Sequence, residues 1–130
     1  MAKVTVKFES KRLIQRAHTA FNLANDDLEQ AIIGEIASPV WSWPGQTVRR
    51  SGEVAGSPRN IIDEGTLLDS YRVEKRGKTV CSHVFEAEHA LIVHEGAQLR
   101  NGGTIAPRPF TERPREAFPE MFARRFKQAQ

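Results

Sequence analysis

Leu13, Ala17, Phe21, Ala24, Leu28, Ala31 with Ile32, and Ile36 recur at three- and four-residue steps. That period puts them on one side of a helix, so residues 9–37 are expected to form a single amphipathic helix with one long apolar stripe. A helix of this length dictates much of what a short chain can become, because its stripe must be covered by everything that follows. Asn25-Asp26-Asp27 offers an alternative break, since such side chains compete with helical backbone bonding and cap new helices. The stripe stays in phase across them, which favours one helix. Ser38-Pro39 ends it, because the residue before a proline is driven out of the helical region.

The remaining segments supply the cover. Val4, Val6 and Phe8 alternate with polar residues, so residues 2–8 read as a strand with an open edge. Ser70–Arg76 and Thr79–Glu86 read as a hairpin around a two-residue Gly77-Lys78 turn. In that register Tyr71 faces Val84, Val73 faces Ser82 and Lys75 faces Val80, and these make the expected core face. Ala87–Val93 is a third buried element, strand or short helix, ended by Gly96. Gly102-Gly103 marks a loop tip. Thr111 is placed to cap a last helix whose stripe is Phe118, Met121, Phe122 and Phe126. Pro114 suits its first turn, whereas Pro119 predicts a kink or a restart. The expected fold is α+β: one domain over 1–130, a small antiparallel sheet packed by the long N-terminal helix and the C-terminal helix.

Residues 40–60 show no lasting period and hold three Gly, two Pro and two Trp, so a long irregular loop is expected there. Trp41 and Trp43 want a surface to cover them. Either they pack back on their own domain, or the segment is an arm that docks on another subunit with Trp41, Trp43, Arg49 and Arg50 as anchors.

Composition narrows the function. The 130 residues hold 19 Lys plus Arg against 16 Asp plus Glu, a net charge of only +3. Residues 1–65 balance, with eight of each sign; the excess lies in 66–130, mostly after Leu99. Arg100, Arg108, Arg113, Arg115, Arg124, Arg125 and Lys127 there make a basic nucleic-acid-binding module one function to weigh, against a solvated face of mixed charge. A lone cysteine excludes an internal disulfide framework and a Cys-rich zinc module. No apolar run approaches the roughly 18–20 residues of a membrane span. The N-terminus lacks the apolar region of a signal peptide, so a soluble protein kept in a reducing compartment is expected.

No catalytic constellation emerges. His89 and His94 are five apart, so neither a helix nor a strand aligns them as metal ligands. Cys81 and His83 share a strand face but lack a third group to orient a nucleophile–base pair. Gly52 to Ser57 has neither the spacing nor the lysine of a phosphate-cradling loop. The carboxylates are dispersed. The chain is therefore expected to be no enzyme, with no cofactor and no metal.

Three blocks do resemble a family. Ile61-Ile62-Asp63-Glu64-Gly65-Thr66-Leu67-Leu68-Asp69-Ser70 resembles the "V-D-T-G-x-L-x-x-S" segment of the head–tail joining, or neck and tail-completion, proteins of long-tailed bacteriophages. His89-Ala90-Leu91-Ile92-Val93-His94-Glu95-Gly96-Ala97 resembles that family's "Y-A-x-x-V-E-x-G-T", and Ala106-Pro107-Arg108-Pro109-Phe110 resembles the "a-x-P-F" that leads into its C-terminal helix. The blocks keep the family's order and spacing and cover residues 60–128. Glu64, His89 and His94 depart from it. Physically, Asp63 can cap the turn after it, Gly65 permits a positive φ, and Leu67 plugs the hairpin. Pro109 stiffens the approach to the last helix and Phe110 anchors it. With Ser70, Ala90, Val93 and Gly96 these are the expected scaffold residues.

The resemblance implies a virion structural protein, assembled in the host cytoplasm, that forms a ring in the neck. It implies a homo-hexamer or dodecamer between the head connector and the tail tube or terminator, with DNA only as passing cargo. A tail terminator capping the tube is the neighbouring alternative. Ring closure needs a head-to-tail interface, which the modest apolar content, the Trp-bearing arm and the 2–8 edge would serve.

Overall fold

The computed structural model describes residues 2–5, 10–41, 47–48, 54–55, 66–98, 100, 102 and 104–129. Its elements run α1 (Ser10–Ala37), β1 (Thr47–Val48), β2 (Val54–Ala55), α2 (Thr66–Asp69), β3 (Tyr71–Arg76), β4 (Val80–Phe85), α3 (Ala90–Glu95), β5 (Ala97–Gln98), β6 (Thr104–Ile105) and α4 (Glu112–Gln128). The architecture is α+β. Among the described residues, three two-stranded antiparallel sheets accompany a layer in which α1 and α4 pack together. No helix among the described residues is long and apolar enough to cross a membrane.

The α1 stripe is buried only along part of its length. Ala20, Ala24, Leu28, Ile32 and Ile36 are buried, whereas Leu13 and Ile14 stand exposed. The core gathers around the C-terminal half of α1. Leu28, Ile32 and Ile36 meet Leu67 of α2, Ala90 of α3 and Phe110, with Trp41, Tyr71, Phe85, Phe118 and Met121 packed around them. The charges of α1 are sorted in the opposite sense to its dipole. Lys11, Arg12 and Arg16 precede Asp26, Asp27, Glu29 and Glu35. Cations at the positive N-terminus and an acid at the C-terminus are each unfavourable by about 0.3–1 kcal/mol.

Helix α4 lies antiparallel to α1. Arg113 sits 3.9 Å from Glu35 at one end, and Arg16 Nε donates to the Phe126 carbonyl at 2.7 Å towards the other. Between them Phe118 meets Phe21 edge-on at 6.3 Å. Arg125 grips Asp27 with two donors at once, Nε to Oδ2 and Nη2 to Oδ1, each 2.8 Å. The helix runs through Pro119 without a restart, one of the two outcomes expected there. Pro119 and Arg115 are both exposed, so water can take the Arg115 carbonyl that a proline leaves without a donor.

The hairpin corrects the expected register. Tyr71 pairs with Phe85, Val73 with His83, Lys75 with Cys81 and Arg76 with Val80. Its turn uses three residues, 77–79, with Gly77 at φ +65°. One more turn residue moves every partner by one, and that flips the whole of β4 relative to β3. The face towards α1 is therefore Tyr71, Val73 and Lys75 with Cys81, His83 and Phe85. Val80, Ser82 and Val84 share the other face with Arg72, Glu74 and Arg76.

Other expectations shift as well. Residues 2–5 form no strand and Val4 is exposed, so no pairing edge is built there; residues 6–8 lie outside the described residues. The 40–60 segment is not wholly irregular, because Thr47 pairs with Ala55 and Val48 with Val54. The third element is the short helix α3. Thr111 occupies the N-cap position of α4 without capping it through its side chain.

Candidate functional site

The seam between α1 and the hairpin is polar. Asn25, buried in the middle of α1, donates from Nδ2 to the Phe21 carbonyl at 2.9 Å, which leaves Oδ1 as an acceptor. His83 Nε2 lies 2.9 Å from that oxygen, and His83 Nδ1 lies 2.6 Å from the Tyr71 hydroxyl. The hydrogen-bond pattern assigns the neutral tautomer: Nε2–H donates to Asn25, and Nδ1 accepts from Tyr71. Burial holds His83 below the ordinary histidine pKa, with Glu29 opposing and Lys75 reinforcing the shift. Burial also pushes the Tyr71 phenol well above its ordinary range. At the rim, Lys75 Nζ bonds Asp26 Oδ1 at 2.6 Å.

Cys81 Sγ lies 3.8 Å from His83 Nε2. Burial raises the thiol pKa, and the facing nitrogen carries a proton committed to Asn25. A thiolate–imidazolium pair needs the opposite of both conditions. His94 belongs to a separate group: Nδ1 bonds Glu95 Oε1 at 2.9 Å, Nε2 meets Thr111 Oγ1 at 2.7 Å, and the ring stands edge-on to Phe110. This explains the diverted cap, since the Thr111 hydroxyl ties α3 to the start of α4. Among the described residues no three of His, Cys, Asp and Glu converge as metal ligands.

Trp41 is the clearest relocation among the expected interface residues. Its indole packs against the core and donates Nε1–H to the Glu35 carbonyl at 2.8 Å. It belongs to its own domain, held where the chain leaves α1. Trp43, Arg49 and Arg50 lie outside the described residues, as do Asp63 and Gly65.

The remaining scaffold residues cluster as a framework. Leu67 is buried in α2, Ser70 Oγ donates back to the Leu67 carbonyl at 2.7 Å, and the Glu86 amide reaches the Ser70 carbonyl. Ala90 is buried, Val93 accepts the Arg108 amide at 2.9 Å, and Pro109 leads to Phe110, which is only 2% exposed. Gly96 has φ +76° and ψ 177°, and a Cβ there would stand 2.6 Å from the Ile105 carbonyl oxygen. Only glycine adopts that backbone readily.

The basic residues after Leu99 do not form one array. Arg108 is buried and donates Nη1 to the Ala106 carbonyl, Arg125 is held by Asp27, and Arg113 faces Glu35. Other basic residues gather elsewhere in the fold. The N-terminal half of α1 and the hairpin turn enclose a cleft of about 600 Å³ that includes Arg12, Arg16 and Lys78. The unbroken run of bases before the first acid of α1 was its available signal.

Comparison with protein-family models, with curated proteins and with solved structures finds no match to this chain.

Proposed function

We propose that this chain is a virion structural protein that assembles into a ring in the neck of a long-tailed bacteriophage, joining the head connector to the tail around the passing DNA. One observation carries the reading. The short helix α2 leads directly into the β3–β4 hairpin, and in the head–tail joining family that residues 61–70 resemble, a small helical turn after the Gly leads into a hairpin. Two features agree with it. The second and third blocks share a core with that unit, through Ala90 and Phe110. Leu91 and Ile92 of α3, 70% and 42% exposed, offer apolar surface to a neighbour. In this reading the framework residues act as scaffold, and function arises from how copies assemble. Trp43, Arg49 and Arg50 are proposed contacts to neighbouring subunits, without Trp41.

Molar mass by light scattering across a concentration series tests it. Six copies of 14.6 kDa give roughly 88 kDa, and a mass there or at twice that value supports a closed ring. A monomer at every concentration argues against self-assembly. Capture by isolated connector protein rather than tube protein separates a neck protein from a tail terminator.

A further inference from the structure

The β3–β4 hairpin is held differently along its length. At its base Tyr71 and Phe85 stack at 4.5 Å, Phe85 stands edge-on to Phe110 at 5.1 Å, and both rings pack on the core. Backbone bonds tie down the same end: the Ser70 amide reaches the Thr66 carbonyl, and the Glu86 amide reaches the Ser70 carbonyl. Towards the turn this packing gives out. Val73 and Val80 stand outside the core cluster, and Val80 is 51% exposed. A recess of about 130 Å³ opens between Phe21 and Asn25 of α1 and Lys75, Val80 and Cys81 of the hairpin. Side chains around an unfilled recess lack dispersion partners on that side.

Among the described residues two polar contacts bridge the hairpin to α1: Lys75 to Asp26 at the rim, and His83 to Asn25. No backbone hydrogen bond among those residues joins the two elements. His83 sits where the anchored and the loosely held halves meet, two residues from the Tyr71–Phe85 pair. Its ring serves both sides, with Nε2 on Asn25 and Nδ1 on the Tyr71 hydroxyl. The charged and titratable groups around it are Glu29 and Asp26 on α1, Tyr71 and Lys75 on β3, and Cys81 on β4. Glu29 favours a charged ring, whereas Lys75 and burial disfavour it.

We propose that the turn half of the hairpin is a flap, hinged at its Tyr71–Phe85 base, that swings off α1 when His83 takes up a proton, while the α1–α4 core stays folded. A proton on Nδ1 ends the acceptance from Tyr71 and puts a charge at the edge of the recess. Once the flap is released, water solvates the imidazolium. Docked, His83 lies below the ordinary value of 6.5; released, it titrates near that value. Protons therefore favour release below 6.5, by up to tenfold per pH unit for one site, and the gain ends beneath the docked value. The proposal does not depend on ring assembly.

Cys81 is the chain's one cysteine and lines the recess, so its thiol reports release. The test follows labelling of the full chain by 4,4′-dithiodipyridine from pH 5 to 7.5. Each rate is divided into that of the urea-unfolded chain at the same pH, which cancels the thiol's own pH dependence. The resulting protection should be constant above pH 6.5 and fall below it. It should also change little with urea well short of the global unfolding midpoint, because a local opening exposes little surface. His83→Gln, which cannot take the proton, should hold protection level across the range. Lys75→Gln removes only the rim contact, and should lower protection several-fold at pH 7.5 while keeping the fall below 6.5. Protection that tracks global unfolding at every urea concentration would mean that the thiol is reached only through the unfolded chain, and would overturn the flap. Labelling at the unfolded rate at pH 7.5 would overturn its docking. A wild type without the fall, or a His83→Gln chain that keeps it, would overturn the trigger.

Discussion

Asn25 and His83 face each other across the seam between helix and hairpin, Oδ1 to Nε2 at 2.9 Å, and with Nε2–H donating there, Nδ1 can accept from Tyr71 only while the imidazole is neutral. A second proton on the ring would place N–H against the Tyr71 hydroxyl that now donates to Nδ1, forcing the phenol to turn its own hydrogen elsewhere. The seam is therefore a point where proton concentration acts on packing.

Stability should fall as pH drops through the ordinary histidine value of 6.5. The native pKa of His83 is lowered, so between the two values the unfolded chain binds a proton that the folded chain refuses. The contribution is fully present above 6.5, declines below it, and levels off beneath the native value. Urea midpoints measured from about pH 5 to 7.5 should show this slope, and His83→Gln should flatten it. Asn25→Ala, which strands the His83 Nε2–H donor, should lose about 1–3 kcal/mol at neutral pH.

A second acid-dependent loss belongs to the helix pair. The Arg125 guanidinium holds Asp27 below its ordinary value of 3.8 by direct hydrogen bonds, with burial opposing and the charges of Arg125 and Arg124 adding to the shift. A lowered carboxyl stabilises above the unfolded value and ceases to do so as pH falls through the native one. Asp27→Asn should therefore unfold at a lower temperature than wild type at pH 6 and converge with it near pH 2. In a double-mutant cycle Asp27→Asn and Arg125→Gln should lose less together than the sum of the separate changes.

Two glycines with positive φ should respond differently to alanine. Gly77→Ala meets open space and carries only the left-handed backbone penalty of about 1–2 kcal/mol. Gly96→Ala adds a collision with the Ile105 carbonyl and the Pro107 ring to a backbone that side chains avoid, and should lose about 3 kcal/mol or more. Thermal midpoints of the two variants side by side would show whether the order holds.

Trp41→Ala should destabilise the isolated subunit by roughly 2 kcal/mol, a fraction of the value for a fully buried indole. Unchanged monomer unfolding with lost assembly would instead return Trp41 to an intersubunit role.

Much of the framework was legible because it rests on period and punctuation. The run of α1 from Ser10 to Ala37 follows its stripe and its Ser38-Pro39 stop, and α4 follows Phe118, Met121, Phe122 and Phe126. The hairpin was legible in place but not in register. Gly77-Lys78 reads locally as a two-residue turn, and the face of β4 that turns inward goes with long-range packing, His83 on Asn25 and Phe85 on the core. Trp41 had no period to reveal it; its position depends on the Glu35 carbonyl at the end of a helix far longer than any local window. The cleft escaped for a similar reason. Arg12 and Lys78 are distant in sequence, and the bases of α1 cancel against its own acids in any sum over the chain.

That cancellation has a consequence for how the fold holds together. The bases of α1 centre near residue 13 and its acids near residue 29, which puts them about 24 Å apart along a helix rising 1.5 Å per residue. At physiological ionic strength a charge is felt over about 8 Å, a third of that distance. The acidic end is therefore balanced by its packing partners and not by the bases of its own helix: Lys75 meets Asp26, Arg125 meets Asp27 and Arg113 faces Glu35. Detaching the hairpin or α4 would uncover charge as well as apolar surface.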